Sequence, residues 1–226
     1  MKNQHAPIKA RILVAAFLLS LSGAVQAQFV FTTNNGVITI TGYAGNPTRL
    51  NIPSKTNGYP VTIIGFSAFA NFPSLTTVTF PSSITNVGNG TFASCNELTG
   101  VYFQGNAPSL GGFDVFFQDP KAIVYYLPGT TGWGSTLSGY PTVSWNPQAQ
   151  TGDGGFGVQT NQFGFNIIGS SNLVIVVEAC TNLASPVWSR VSTNTLNIYI
   201  GTNGTAHFSD SQWTNYTGRF FRFRSP

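Results

Sequence analysis

The sequence predicts a mainly β protein that consists of a short solenoid of about four turns followed by a small antiparallel β-sandwich. One stretch of the first half recurs at a fixed spacing of 23 residues. The second half contains short runs of alternating apolar and polar residues separated by turn-forming residues. Only 7% of the residues are charged whereas 14% are aromatic, which argues against coiled coils and helical bundles.

The repeat is most evident when residues 61–81 are displaced by 23 positions onto residues 84–104. Eight of the 21 aligned positions are then identical. The spacing lies within the range of about 20–29 residues that is typical of leucine-rich repeats. Their strand pattern L-x-x-L-x-L occurs twice, as Leu75-x-x-Val78-x-Phe80 and Leu98-x-x-Val101-x-Phe103.

Two weaker turns extend this repeat in both directions. Upstream, Leu50 and Ile52 fit the strand pattern, and downstream Val124 and Tyr126 fit it with Lys121 in place of the leading leucine. Residues 28–40 predict a hairpin that turns at Asn34-Asn35-Gly36 and caps the first turn, and residues 127–145 predict a cap on the last one. The predicted repeat domain therefore covers residues 28–145.

Several repeat positions have predicted structural roles. Phe69 and Phe92 fill the wide side of the solenoid, whereas Gly65 and Gly88 permit a tight corner that a Cβ would obstruct. Cys95 aligns with Phe72, which predicts a small buried side chain, and two cysteines are too few for a disulfide framework.

The segment NGYPVTIIG followed by AFANFPSLTTVTFP and VGNGTFASCNELTGVYF resembles the BspA-type bacterial leucine-rich repeats, over residues 45–127. That resemblance implies an exported or surface protein with a role in adhesion or protein binding. It supplies no catalytic residues.

The predicted sandwich covers residues 146–226. Its candidate strands begin at Phe156, Gln162, Leu173, Leu196, Ala206 and Arg219. The string VVEACTNLASPVW, with FSD and RFFR downstream, is similar to a small C-terminal β domain found on exported bacterial proteins. Arg219, Arg222 and Arg224 are expected on the solvent face of the last strand, and Trp188 and Trp213 in the core.

Residues 1–27 have the features of a bacterial export signal. Lys2, Lys9 and Arg11 precede the uncharged apolar stretch 12–25, and small residues precede a cleavage site between Ala27 and Gln28. Fourteen apolar residues are fewer than the roughly 20 that span a bilayer, so we expect no membrane span in the mature chain. The sequence thus predicts a secreted or cell-surface protein.

Loss of the signal changes the charge of the protein. The formal net charge of +4 includes the three basic residues of the signal. Without them seven basic residues face six acidic ones, a net charge of about +1. This value is too small to predict a nucleic-acid partner.

Catalytic groups are scarce in the mature chain. His207, Ser209 and Asp210 are close in sequence, but neighbours along a strand point to alternate faces. Asp114 and Asp119 are expected to be solvated loop carboxylates rather than a glycosidase pair. No motif for a metal or cofactor is recognisable, so the sequence predicts a non-catalytic protein without cofactors.

A binding role requires an exposed surface, and the outer face of the repeat sheet is the candidate. Tyr102 and Tyr125 are predicted to form an exposed aromatic pair there, which either contacts a ligand or only stabilises the sheet. The candidate binding face consists of Arg49, Asn51, Thr77, Thr79, Tyr102, Ile123 and Tyr125. Such a four-strand face offers roughly 200 Å², far less than a standard interface.

Two functions remain open from the sequence. The first is adhesion or protein recognition by an exported, non-catalytic repeat protein. The alternative is a carbohydrate-binding or polysaccharide-accessory module, suggested by the aromatic residues, the sandwich and the low charge. The expected partner is accordingly a protein or a glycan.

Overall fold

The computed structural model describes residues 12–13, 28–170, 173–195 and 204–225. A 3-10 turn at Trp213–Asn215 precedes the last strand. The described part of the chain contains no helix that is long and apolar enough to cross a membrane. The strands, in chain order, are β1 Ile12–Leu13, β2 Phe29–Asn34, β3 Val37–Tyr43, β4 Arg49–Asn51, β5 Lys55–Thr56, β6 Tyr59–Ile64, β7 Thr77–Phe80, β8 Asn86–Val87, β9 Gly100–Phe103, β10 Ser109–Leu110, β11 Ile123–Tyr126, β12 Thr136–Leu137, β13 Tyr140–Ser144, β14 Gln148–Gln150, β15 Gly157–Gln159, β16 Gln162–Gly169, β17 Val174–Cys180, β18 Ser189–Thr195, β19 Gly204–Asp210 and β20 Phe220–Arg224.

The chain forms two compact units that divide between Trp145 and Asn146. We refer to them as the repeat unit and the C-terminal unit. The predicted signal peptide lies outside the described residues except for β1, which pairs in parallel with β20. The predicted strand at residues 196–200 also lies outside the described residues.

Strands of the repeat unit form two mostly parallel sheets. One sheet has the order β10-β8-β6-β3-β2 and the other the order β12-β13-β11-β9-β7-β4. In the second sheet Val78 lies beside Val101, which lies beside Val124, so neighbouring strands are offset by 23 residues. This register confirms the predicted solenoid, its period and its inward-facing valines, all three of which are buried.

Aromatic rings fill the side of the solenoid opposite this sheet. Phe69 stacks on Phe92 with ring centroids 5.5 Å apart, and Phe92 stacks on Phe116 at 5.8 Å. The column continues with Tyr140, whose ring packs edge-on against Phe116 at 5.3 Å. Since no single turn could bury such a ring alone, this column couples the turns to one another.

Compared with the turn before it, the third turn contains one extra residue on the side of the aromatic column. The Leu98 amide donates to Cys95, and in the next turn the equivalent amide is that of Ala122, which donates to Asp119. Ala122 thus occupies the leucine position, and the alignment of Lys121 with that position is wrong. Lys121 is instead exposed and forms an ion pair with Glu97 at 2.8 Å.

Gly65, Gly88 and Gly111 form a second column at the corner of successive turns. A Cβ on Gly88 would lie 2.7 Å from the carbonyl carbon of Gly65, and a Cβ on Gly111 would lie 3.2 Å from the Gly88 Cα. Both distances are shorter than an ordinary van der Waals contact. The predicted requirement for glycine at this corner is therefore confirmed, and its cause is close backbone approach.

Both ends of the repeat unit contain hairpins. β2 and β3 pair in antiparallel fashion around Asn35 and Gly36, which have positive φ angles of 48° and 76°. These angles suit a tight hairpin turn, as predicted. At the other end β12 and β13 form a hairpin, and β13 continues the parallel sheet beside β11.

The C-terminal unit is a sandwich of two four-stranded sheets. β16 pairs with β14, β15 and β19, whereas β17 pairs with β18 and β20, and β20 pairs in turn with β1. Phenylalanines join the inner faces, with Phe163 stacked on Phe221 at 5.6 Å and Phe165 at 6.1 Å from Phe223. The predicted antiparallel β-sandwich is confirmed. Cys180 of this unit and Cys95 of the repeat unit are buried, free thiols.

Candidate binding surfaces

The predicted binding face forms two columns across the parallel sheet. Arg49, Thr77, Gly100 and Ile123 occupy one column of register partners. The other column contains Asn51, Thr79, Tyr102 and Tyr125. The sheet thus brings the predicted residues together in the expected order.

Burial of this face differs from the prediction. Tyr102 and Tyr125 stack with ring centroids 4.9 Å apart, but only 3% and 5% of their surfaces are exposed. Thr77 and Thr79 are also buried, while Asn51 and Ile123 are half-buried and Arg49 is exposed. The expectation of an exposed aromatic pair is wrong, because an alternating strand pattern does not show what covers its outer side.

Tyr102 lies along its own strand over Gly100. A Cβ on Gly100 would lie 2.6 Å from the Tyr102 ring. The ring therefore fits in this position because residue 100 has no side chain. Burial raises the pKa of Tyr102, and burial likewise raises the pKa of Tyr125. The two phenols therefore stay neutral, and the pair acts as part of a packed interior.

Exposed aromatic side chains occur instead on the turns. Phe66, Phe113 and Phe117, which we call the outer row, are exposed by 75%, 92% and 54%. Phe66 and Phe113 each precede a ring of the buried aromatic column by three residues, so they occupy equivalent positions. Asn89 holds that position in the turn between them.

Hydrogen bonds hold these turns in place. The Ser67 amide donates to the Asn89 carbonyl at 3.1 Å, and the Asp114 amide donates to the Asn89 side chain at 3.0 Å. The Ser138 hydroxyl donates a hydrogen bond to the Phe113 carbonyl. It also accepts a hydrogen bond of 3.3 Å from the Val115 amide. The backbone around Phe113 is therefore held by hydrogen bonds from the turns on both sides of it.

An open cleft of about 680 Å³ lies beside Phe113. Its volume falls within the range of roughly 300–1,000 Å³ for ligand sites. The lining is apolar and rich in glycine, so that a ligand could also reach backbone groups. It consists of Leu110, Gly111, Gly112, Phe113, Ser138 and Gly139.

Asp119 is a buried carboxylate in the third turn. It occupies the position of Cys95 in the turn before, and its side chain is fully buried. Neither of its carboxylate oxygens has a hydrogen-bond partner among the described residues. Burial raises the pKa of Asp119 to about 7. The prediction of a solvated loop carboxylate is wrong for this residue, whereas Asp114 is exposed.

In the C-terminal unit, Glu178 binds two arginines. Its Oε2 accepts from Arg222 Nε at 2.8 Å and its Oε1 accepts from Arg224 Nε at 2.8 Å. Burial raises the pKa of Glu178, but the two guanidinium groups outweigh burial and lower it overall. The expected solvent-facing arginines are therefore half-buried and paired, and Arg219 likewise pairs with Asp210.

The tryptophans and the histidine of this unit lie near its surface. Trp188 is half-buried beneath the Arg222 guanidinium at 4.4 Å, and Trp213 is half-buried, so neither is in the core as expected. His207 is exposed and hydrogen-bonds Asn166, whereas Asp210 is buried. This separation agrees with the expectation that neighbours on this strand do not converge.

Residues 30–119 match a family model described as the BspA type leucine-rich repeat region, in six copies. The match covers the turns that carry the glycine and phenylalanine columns. This segment is a BspA-type leucine-rich repeat region.

Three solved bacterial structures are also similar to this chain. One is a leucine rich cell surface protein from Faecalibacterium prausnitzii, with 31% identity, a TM-score of 0.39, and coverage of 49% of this chain and 30% of that one. A Treponema pallidum leucine rich repeat protein has 20% identity and a TM-score of 0.37, with coverage of 44% and 51%. A leucine-rich repeat protein from Bacteroides capillosus has 29% identity and a TM-score of 0.30, with coverage of 44% and 67%. The chain thus spans less than a third of the first protein and about half of the second. No curated protein sequence matches it.

The outer row of the leucine-rich repeats was not predicted from the sequence. Its signal is the occurrence of phenylalanine at position 66 and again at position 113, one residue after the corner glycine Gly65 and two residues after the corner glycine Gly111. A one-residue shift in the third turn conceals this equivalence in an alignment with a strict period of 23.

Proposed function

We propose that this chain is an exported, non-catalytic leucine-rich repeat protein that binds a protein partner at the cell surface or outside the cell. The observation that carries the proposal is the exposed outer row Phe66, Phe113 and Phe117, of which Phe113 lines an open cleft. The N-terminal pattern of basic and then apolar residues supports export.

The outer row suits a protein partner because exposed apolar side chains gain most from burial. Since a phenylalanine has a surface of roughly 200 Å², the three rings together expose about 400 Å². That area is about half of what one partner contributes to a standard interface of ~800 Å². The outer row therefore supplies the anchor of an interface, and the neighbouring turns and cleft supply the rest.

Affinity capture from the native extracellular fraction tests this proposal. The wild-type chain is compared with the variant Phe66→Ser/Phe113→Ser, and Val158→Ser is a control because Val158 is an exposed apolar residue of the C-terminal unit. We expect proteins that are retained by the wild type and the control to be lost with the double variant. Equal retention by all three chains, or no protein retained by any, would contradict the proposal.

A second candidate function is binding of carbohydrate by the C-terminal unit. The observation that favours it is the half-buried Trp188 at the surface, bordered by arginines, beside the exposed Val187. Aromatic and apolar surfaces of this kind can pack against the faces of sugar rings.

A further inference from the structure

The outer face of one sheet in the C-terminal unit concentrates positive charge. Glu178 of β17 lies directly opposite Arg190 of β18 and opposite Arg222 of β20. Directly opposite residues in antiparallel strands share a face, and Arg224 shares it because it is two residues from Arg222. We call Arg190, Arg222 and Arg224 the arginine face. Three guanidinium groups surround one carboxylate, so the local net charge is about +2.

The carboxylate of Glu178 is already saturated by two of these arginines. Arg222 contacts Oε2 through both Nε, at 2.8 Å, and a terminal nitrogen, at 2.6 Å, while Arg224 contacts Oε1. Arg190 is exposed, and the described part of the chain contains no ion-pair partner for it. Its fork of donors is thus available to an outside anion, next to two fixed positive charges.

Trp188 extends this face toward the start of β18. Its ring packs beneath the Arg222 guanidinium at 4.4 Å, and it lies two residues before Arg190. The adjacent Val187 is exposed. An anion that reaches Arg190 therefore also meets an apolar and aromatic border, a combination that suits a sugar ring bearing a charged group.

Resting on the second candidate function, we propose that the arginine face binds the carboxylates of an acidic polysaccharide, with Arg190 as the principal contact. A planar carboxylate matches the two parallel donors of a guanidinium. Nucleic acids and anionic membranes require several spaced cations. Residues 146–226 contain four basic residues, of which Arg219 is neutralised by Asp210, so their charge is suited to one anionic group at a time.

Affinity electrophoresis of the full chain tests the proposal in gels containing polygalacturonate, heparin or neutral dextran. We expect polygalacturonate to retard the chain more than heparin, and dextran to leave it unretarded. Arg190→Ala should weaken the affinity for polygalacturonate about tenfold, since it removes a charge-assisted hydrogen bond. Arg190→Lys should restore part of the affinity because it keeps the charge but not the fork.

Lys121→Ala is the matched control, because it removes one exposed positive charge from the repeat unit. It should leave the retardation unchanged, and thermal unfolding should show that Arg190→Ala is as stable as the wild type, since the side chain is exposed. Equal retardation of Arg190→Ala and the wild type would overturn the proposal, as would heparin binding equal to or stronger than polygalacturonate binding. Retardation by dextran but not by polygalacturonate would overturn it while leaving carbohydrate binding intact. No retardation in any gel would overturn the proposal.

Discussion

The Cβ that Gly88 lacks would lie 2.7 Å from the carbonyl carbon of Gly65, one turn earlier in the solenoid. Backbone atoms of successive turns thus meet at this corner without room for a methyl group. The spacing between turns depends on this contact, because Gly111 repeats it against Gly88.

The substitution Gly88→Ala should destabilise the repeat unit. The methyl group must push two backbone segments apart, and overpacking of this kind costs about 1–3 kcal/mol. Chemical denaturation measures the change in unfolding free energy. Gly152→Ala is the control, because a Cβ at Gly152 meets nothing within 4 Å, and it should change the stability by less than about 0.5 kcal/mol. A neutral effect of Gly88→Ala would show that the turns can separate.

The buried pair Tyr102 and Tyr125 should contribute to stability. Truncation of a large buried aromatic side chain typically costs about 3–5 kcal/mol. We expect Tyr125→Ala to lower the unfolding free energy by an amount in this range. Tyr59→Ala is the control, because Tyr59 is a tyrosine of the same unit with 47% of its surface exposed. A Tyr125→Ala variant as stable as the wild type would contradict the burial of the pair.

Stability of the repeat unit should fall as the pH rises through the titration range of Asp119. The folded state holds the proton with a pKa of about 7, well above the ordinary value of 3.8, so it binds protons more tightly than the unfolded chain. The contribution of Asp119 to the unfolding free energy is therefore largest below pH 3.8. It decreases by about 1.4 kcal/mol per pH unit between pH 3.8 and the folded-state pKa.

The variant Asp119→Asn tests whether Asp119 causes this dependence of stability on pH. It should remove the decrease in stability between pH 5 and pH 7, whereas Asp114→Asn, a change of an exposed carboxylate in the same turn, should keep it. Urea unfolding at each pH provides the measurement. The same slope in the wild type and in Asp119→Asn would exclude Asp119 as its source.

Glu178 should be essential for the stability of the C-terminal unit. Its removal leaves two half-buried guanidinium groups without a counter-charge, and breaking a buried ion pair costs about 3–5 kcal/mol. Glu178→Gln should therefore be strongly destabilised in thermal unfolding. Glu97→Gln removes the charge of a well-exposed pair and should cost less than about 1 kcal/mol. Similar melting temperatures of the two variants would refute this difference.

Much of the repeat unit could be predicted because its determinants are local and periodic. The 23-residue offset of Val78, Val101 and Val124 follows from matching residues along the chain, as does the corner glycine column. The extra residue in the third turn could not be located in this way. It lies in a segment where few side chains match, and the structure reveals it through the stacking of Phe116 on Phe92 and the hydrogen bond from the Ala122 amide to Asp119, both displaced by 24 residues from their equivalents one turn earlier.

The sequence by itself determined the fold class, the period and the residues that form the interior of each turn, since these follow from alternation and self-similarity. The tertiary structure decided which surfaces are exposed. An alternating pattern assigned Tyr102 and Tyr125 to the outer side of a sheet, but exposure depends on the packing of segments distant in sequence. The pairing of Glu178 with Arg222 and Arg224 likewise arises across 44 and 46 residues, a distance that no local pattern records.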